Sequence, residues 1–198
     1  MKKFIFLLFL TISVISYAQK PDTTTALIII DIQEFYFPGG DAELDKPEEA
    51  SLNAEKILKY FRKNNLTIVH VRHNYEPGGD IHKNVKPTDS EKIISKNDVN
   101  CYKNTDLLEY LKNNSVENVV ICGMQTHMCV DAAVRASHDY NFKTILIHDA
   151  CTTKDLKFDD ILIKAKDVHY STLSILRSYA KIIDTDSFLK KQTNLINE

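Results

Sequence analysis

Four mainly apolar runs punctuate the chain: Ala26–Ile32 (ALIIIDI), Leu66–Arg72, Asn118–Cys122 (NVVIC) and Lys143–His148 (KTILIH). Short runs with little polar alternation predict strands buried on both faces. Between them the spacing turns helical. Glu48–Asn64 places Leu52, Ile57, Leu58 and Phe61 on one predicted face, with Pro47 in the first turn. Further helices are predicted from Asn104 and Thr105 to about Lys112, over Met128–Asn141 and over Val168–Tyr179. Lys92–Ser95 reads as a short edge strand and Lys181–Ile183 as a last strand, with Thr185 capping a final helix. A long loop with Pro77-Gly78-Gly79 and Pro87 precedes the edge strand, and loops of that length tend to be functional. Alternating strands and helices predict a single α/β domain with helices on both faces of a doubly wound, mostly parallel sheet, a three-layer αβα arrangement.

The first residues follow a different pattern. Lys2 and Lys3 precede an apolar stretch, Phe4 to Ile15, and Ser16-Tyr17-Ala18 puts small residues at the −3 and −1 positions before Gln19. That is the layout of an export signal, and the stretch is short for a membrane span. The expectation is removal of residues 1–18, a mature domain over 19–198, and a periplasmic or secreted location without a membrane anchor.

Composition narrows the chemistry. The chain has 198 residues, 43% hydrophobic and 26% charged, with a formal net charge of −2. One sizeable core is within reach. No block of Lys and Arg stands out, so no nucleic-acid partner is expected. The five glycines, Gly39, Gly40, Gly78, Gly79 and Gly123, cannot be arranged into either common phosphate-binding loop, and no G-x-S-x-G is present. The four cysteines, Cys101, Cys122, Cys129 and Cys151, form no C-x-x-C and match no zinc spacing. Although export favours disulfides, individually placed thiols fit better in a chain of this size.

Ligands of open α/β sheets bind beyond the carboxyl ends of the strands. Asp31 ends the first apolar run; a carboxylate there is costly unless paired or used, and a turn-forming aspartate is the competing reading. Cys129 follows a buried strand and a Gly-x-x-Thr turn, at the start of a predicted helix. That position is expected to lower its pKa and to offer backbone N–H groups to an oxyanion; a buried core cysteine is the alternative. Lys96, after the edge strand, could support a thiolate, though alone it reads as a solvated lysine. His127, two residues before Cys129, could line a pocket. His73, Asp80 and His82 read as polar loop residues in preference to metal ligands, since Asp80-x-His82 lies in a Gly-rich loop with no fixed second histidine.

These pieces in order resemble the isochorismatase-like cysteine hydrolases, over about Thr25 to Phe188. ALIIIDIQ resembles the segment with the catalytic aspartate and following glutamine, here Asp31 and Gln33. EKIISKNDVNCYKNTDL resembles the lysine segment, giving Lys96; where many relatives have Asn-Ser-Ala-Phe, this chain has Asn100-Cys101-Tyr102-Lys103, with the aromatic kept at Tyr102. NVVICGMQTHMCVDAAVRA resembles the G-x-x-T-x-x-C-V signature, with Cys129 as nucleophile, and HDACTTKD matches the region after the fifth strand. The resemblance implies a six-stranded sheet of order 3-2-1-4-5-6 and a cis peptide at Met124-Gln125. It implies an oxyanion hole from the Gln125 and Cys129 N–H groups, and a substrate pocket including Gln33, Tyr102 and His127. It also implies acyl transfer through a thioester, with Asp31 as base and Lys96 assisting, on a small-molecule substrate and with no cofactor. Homo-oligomers are common in the family.

Two departures bear on substrate. Metal-binding nicotinamidases of the family carry Asp-x-His directly after the second strand, where this chain has Val71-Arg72-His73-Asn74. Isochorismatases proper often lack the cysteine, so Cys129 favours amide cleavage, as in relatives that act on streptothricin-type and other cyclic or linear amides. The expected function is thus an exported, metal-independent hydrolase of a small amide or related C–N bond. A catalytically silent binding protein and an ester or vinyl-ether hydrolase on the same fold are the alternatives.

Overall fold

The first strand, β1 (Thr25–Ile30), is flanked by parallel neighbours on both edges, and Ala26 to Ile30 are almost completely enclosed. The computed structural model describes residues 24–197, with side chains as far as residue 191. The expected leader, residues 1–18, lies outside the described residues.

The remaining elements are α1 (Pro47–Lys63), β2 (Thr67–His73), β3 (Lys92–Lys96), α2 (Leu107–Asn113), β4 (Asn118–Met124), α3 (Asp131–Asp139), β5 (Lys143–Thr152), β6 (Leu156–Phe158), β7 (Ile161–Ile163), α4 (Ala165–Leu176), β8 (Lys181–Ile183) and α5 (Thr185–Asn197). Six strands form one parallel sheet in the order β3-β2-β1-β4-β5-β8. Chain direction across the sheet therefore reverses between β1 and β4, and this is the expected order with β8 as the sixth strand. α1 and α5 pack together on the sheet, as α3 and α4 do. Each fully buried Ile or Leu of β1 contributes about 1.5–3 kcal/mol.

Local differences from the sequence reading have physical causes. The buried stripe of α1 is Ala50, Ala54, Ile57, Leu58 and Phe61, and Leu52 faces out, about half a turn from Ala54. β5 continues four residues past His148, to Thr152, because Cys151 and Thr152 pair with Gly123 and Met124 after a register shift in the ladder. Thr185 does not cap α5. Its N–H and hydroxyl both donate to Asp149 Oδ1 at 2.8 Å. Asp184 caps instead, accepting from the Ser187 N–H at 2.8 Å. β6 and β7 form an antiparallel hairpin that the sequence reading left unassigned.

Gly123 makes the close approach of β1 and β4 possible. Its φ is +130°, and a Cβ there would sit 2.0 Å from the Ile30 carbonyl oxygen. Only glycine fits.

Candidate functional site

At the reversal point, three strand ends deliver three side chains to one place. Asp31 follows β1, with a left-handed φ of 47° and its N–H donating to the Val71 carbonyl. Lys96 ends β3, two strands away. Cys129 lies in a single π-helical turn, Thr126–Val130, between β4 and α3. The turn begins after Gln125, whose carbonyl accepts the Met128 N–H at 3.0 Å, and the Met124-Gln125 peptide is cis, as the resemblance implies. Cys129 is therefore not in the first turn of a regular helix, which is how the sequence reads.

Lys96 Nζ is 2.7 Å from Asp31 Oδ2, 3.2 Å from Cys129 Sγ and 3.3 Å from His73 Nδ1. Neither Asp31 nor Lys96 exposes any side-chain surface, and Cys129 is 6% exposed. Burial raises the Asp31 carboxyl above its ordinary value, against the opposing charge of Lys96. Burial would lower the Lys96 ammonium, but Asp31 and Cys129 outweigh it and keep it above the ordinary lysine value. Burial, then the charge of Asp31, pushes the Cys129 thiol up to about 12. The expected lowering by a helix dipole is overridden, because enclosure disfavours the thiolate and an anion is already present. The thiol is therefore held neutral near neutral pH, with the Lys96 ammonium between it and Asp31. The Asp31 carboxyl, made more basic by burial, and the Cys129 thiol share the Lys96 amine as a neighbour.

The other predicted residues divide. Gln125 is buried beside the turn, with Nε2 3.3 Å from Tyr36 Oη. His127 lies in the same turn as Cys129, its Nδ1 2.6 Å from Thr153 Oγ1, and burial lowers its pKa below the ordinary histidine value. Gln33 is not brought into the centre: its Nε2 donates to the His73 and Gly79 carbonyls and its Oε1 accepts the His73 N–H. It fastens the 73–79 segment to the end of β1. Tyr102 also points elsewhere, its hydroxyl 2.8 Å from Ser137 Oγ and its ring against Tyr140 and Phe142.

His82 stacks on Phe37 with ring centroids 3.6 Å apart, while the Asp80 carbonyl accepts the Glu34 N–H. Among the described residues, no group of three His, Cys, Asp or Glu side chains is placed to hold a metal ion. All four cysteines are free thiols, and burial raises the pKa of Cys101, Cys122 and Cys151.

Two neighbours of the centre escaped the sequence reading. His73 was weighed as a metal ligand, yet it contacts the Lys96 amine. The sequence reading ends the second strand at Arg72, one residue short of His73, which closes β2 and pairs in register with Lys96. Tyr36, in the short helix after β1, is buried near Asp31 and Cys129, and its phenol pKa is raised by burial and by the charge of Asp31. Nothing in the local sequence distinguishes it from a core aromatic.

The family model for the isochorismatase domain matches residues 25–180. The chain is 38% identical over 179 residues to YddQ, an uncharacterized isochorismatase family protein of Bacillus subtilis, covering 84% of this chain and 99% of that one. It is 26% identical to a streptothricin hydrolase of Streptomyces noursei, over 66% of this chain and 55% of that protein. The crystal structure of an isochorismatase from Pseudomonas putida KT2440 superposes with a TM-score of 0.79 at 31% identity, over 83% of this chain and 90% of that one.

Proposed function

The chain belongs to the isochorismatase family, and we propose that it is a cysteine hydrolase that cleaves a small amide or related C–N bond through a thioester. The observation that carries this is the single ammonium of Lys96 touching both Asp31 and Cys129 inside a closed centre. In the first half-reaction, Cys129 Sγ bonds to the substrate carbonyl carbon as its proton passes to Asp31. The carbonyl oxygen becomes an oxyanion facing the Gln125 and Cys129 N–H groups, each such donor contributing about 3–4 kcal/mol. Collapse breaks the C–N bond, and Asp31 returns the proton to the departing amine. In the second, Asp31 takes a proton from water as the water oxygen attacks the thioester. Collapse then expels the sulfur, which regains a proton, and releases the carboxylic acid. Lys96 remains a cation throughout and balances the anion that moves between Asp31, sulfur and oxygen. The slight exposure of Cys129 favours a small acyl group.

The test is a panel of primary amides, lactams and ureas assayed for ammonia or amine release, alongside Cys129→Ala. Turnover of at least one compound, abolished in a folded Cys129→Ala protein, is the expected result. Full activity in that variant, or turnover only of a vinyl ether such as isochorismate, overturns the reading.

Export is part of the proposal. Residues 1–18 carry the charge, apolar stretch and small residues of a cleavable signal. Intact mass of the protein from cell fractions checks it, with Gln19 at the N-terminus of the exported form expected. A full-length chain in the cytoplasm contradicts it.

A further inference from the structure

Four large apolar side chains of the β6–β7 hairpin stand in solvent: Phe158 is 69% exposed, Ile161 63%, Leu162 55% and Ile163 37%. A two-stranded ribbon uncovered on both faces has little stability of its own, and an apolar patch of this kind marks an interaction surface. We propose that the hairpin is a dimerisation element whose occupant is the same hairpin of a second copy, paired antiparallel along β7 about a two-fold axis at Leu162.

Register and charge select this arrangement. Phe158 and Ile161 pair across a two-residue turn, Asp159-Asp160. The pair flanking such a turn shares the hydrogen bonds, so the N–H and C=O of the next β7 residue, Leu162, point outward. β7 has no further neighbour among the described strands. Leu162 can therefore exchange both backbone bonds with the partner's Leu162.

The segment Asp160-Ile161-Leu162-Ile163-Lys164 is then complementary to its own reverse. Ile161 meets the partner's Ile163, and Asp160, in the turn just beyond the ladder, comes alongside the partner's Lys164. The β6 edge offers no such match, because Lys157 would face the partner's Lys157. Centring the β7 pair on Ile161 would set Asp160 against the partner's Leu162, and centring it on Ile163 would set Leu162 against the partner's Lys164. Lys164 is available for exchange, since its contact with Asp155 at 2.9 Å is solvent-exposed. The interface is isologous, as a two-fold dimer requires.

Sedimentation of the purified full domain tests the proposal. A dimer is expected for the natural sequence. Leu162→Lys, which puts two like charges on the axis, should weaken it at least a hundredfold. Asp160→Lys and Lys164→Asp should each weaken it at least tenfold, because each homodimer then carries two like-charge pairs. An equimolar mixture of those two should dimerise again, because both cross-strand pairs regain opposite charges. Circular dichroism of each variant establishes that the fold is intact, and the natural protein and Leu162→Lys decide the matter if either charge variant does not fold. A monomeric natural protein, a dimer unaffected by Leu162→Lys, or a mixture no better than its components overturns the proposal. A monomer would leave the hairpin to a different protein or a membrane surface.

Discussion

Asp31 and Lys96, 65 positions apart in the chain, meet at 2.7 Å with no side-chain surface exposed. The pair is expensive to desolvate, and each charge is tolerated only because the other is present. The Lys96 ammonium also reaches Cys129 Sγ, so the ion pair that fixes the strand ends is the one that stands beside the proposed nucleophile.

Removing one member should cost both stability and activity. Asp31→Asn or Lys96→Met leaves a buried charge uncompensated and should destabilise the fold by about 3–5 kcal/mol. The double variant should regain much of that stability while remaining inactive, since loss of the proton acceptor costs about 10²–10⁴ in rate. Urea melts and turnover of whichever amide the panel identifies separate the two effects. Additive destabilisation in the double variant would mean that the two side chains act independently.

The arrangement around this pair was partly legible in the residues. β1, β4 and β5 announced themselves as apolar runs, and the ordered motifs at Asp31, Lys96 and Cys129 pointed to one crevice. What stayed hidden depends on distant contacts. Gln33 and Tyr102 have the residue types of pocket side chains, but their partners are the 73–79 segment and Ser137, which no local pattern reveals. The β6–β7 hairpin was missed because its strands are three residues each, too short for a period-2 signal, and its apolar side chains are not in the core. The pKa of Cys129 went the other way from expectation because enclosure depends on the tertiary fold.

The thiol should titrate late. With the Cys129 pKa pushed to about 12, the natural protein minus Cys129→Ala should show no thiolate absorbance step near 240 nm between pH 6 and 10. On the proposed mechanism the Asp31 carboxylate then removes the proton during attack. A step below pH 8 would place a resting thiolate at the centre and remove the need for Asp31 as base.

Gly123→Ala should be among the most damaging small substitutions. The added methyl would meet the Ile30 carbonyl at 2.0 Å, at a φ that L-residues avoid, between the two strands whose ends carry Asp31 and the Cys129 turn. A loss of about 3 kcal/mol or more is expected, or failure to accumulate as soluble protein. Denaturant melts check it, and a change below about 1 kcal/mol would mean that β1 and β4 separate easily.

Away from the site, acid stability should depend on one carboxylate. Glu91 accepts two bonds from Arg62, at 2.7 and 2.8 Å, one from the Thr88 N–H at 2.9 Å, and lies 2.9 Å from His70 Nε2. Burial alone would raise its pKa, but Arg62, Thr88 and His70 outweigh burial and hold it at about 2, below an ordinary value of 4.5. The folded state therefore binds this proton less readily than the unfolded chain. Its stabilisation is complete above about pH 5 and is lost as the pH falls towards 2. His70 acts in the same direction from a higher pH. Burial lowers its pKa below 6.5, against the pull of Glu91, so the unfolded chain gains that proton first as the solution is acidified. Glu91→Gln should cost about 2 kcal/mol at pH 7 and flatten the stability curve between pH 5 and 2. Urea melts of both proteins across that range provide the measurement. Parallel curves would show that Glu91 has the same proton affinity folded and unfolded, and that acid lability originates elsewhere in the fold.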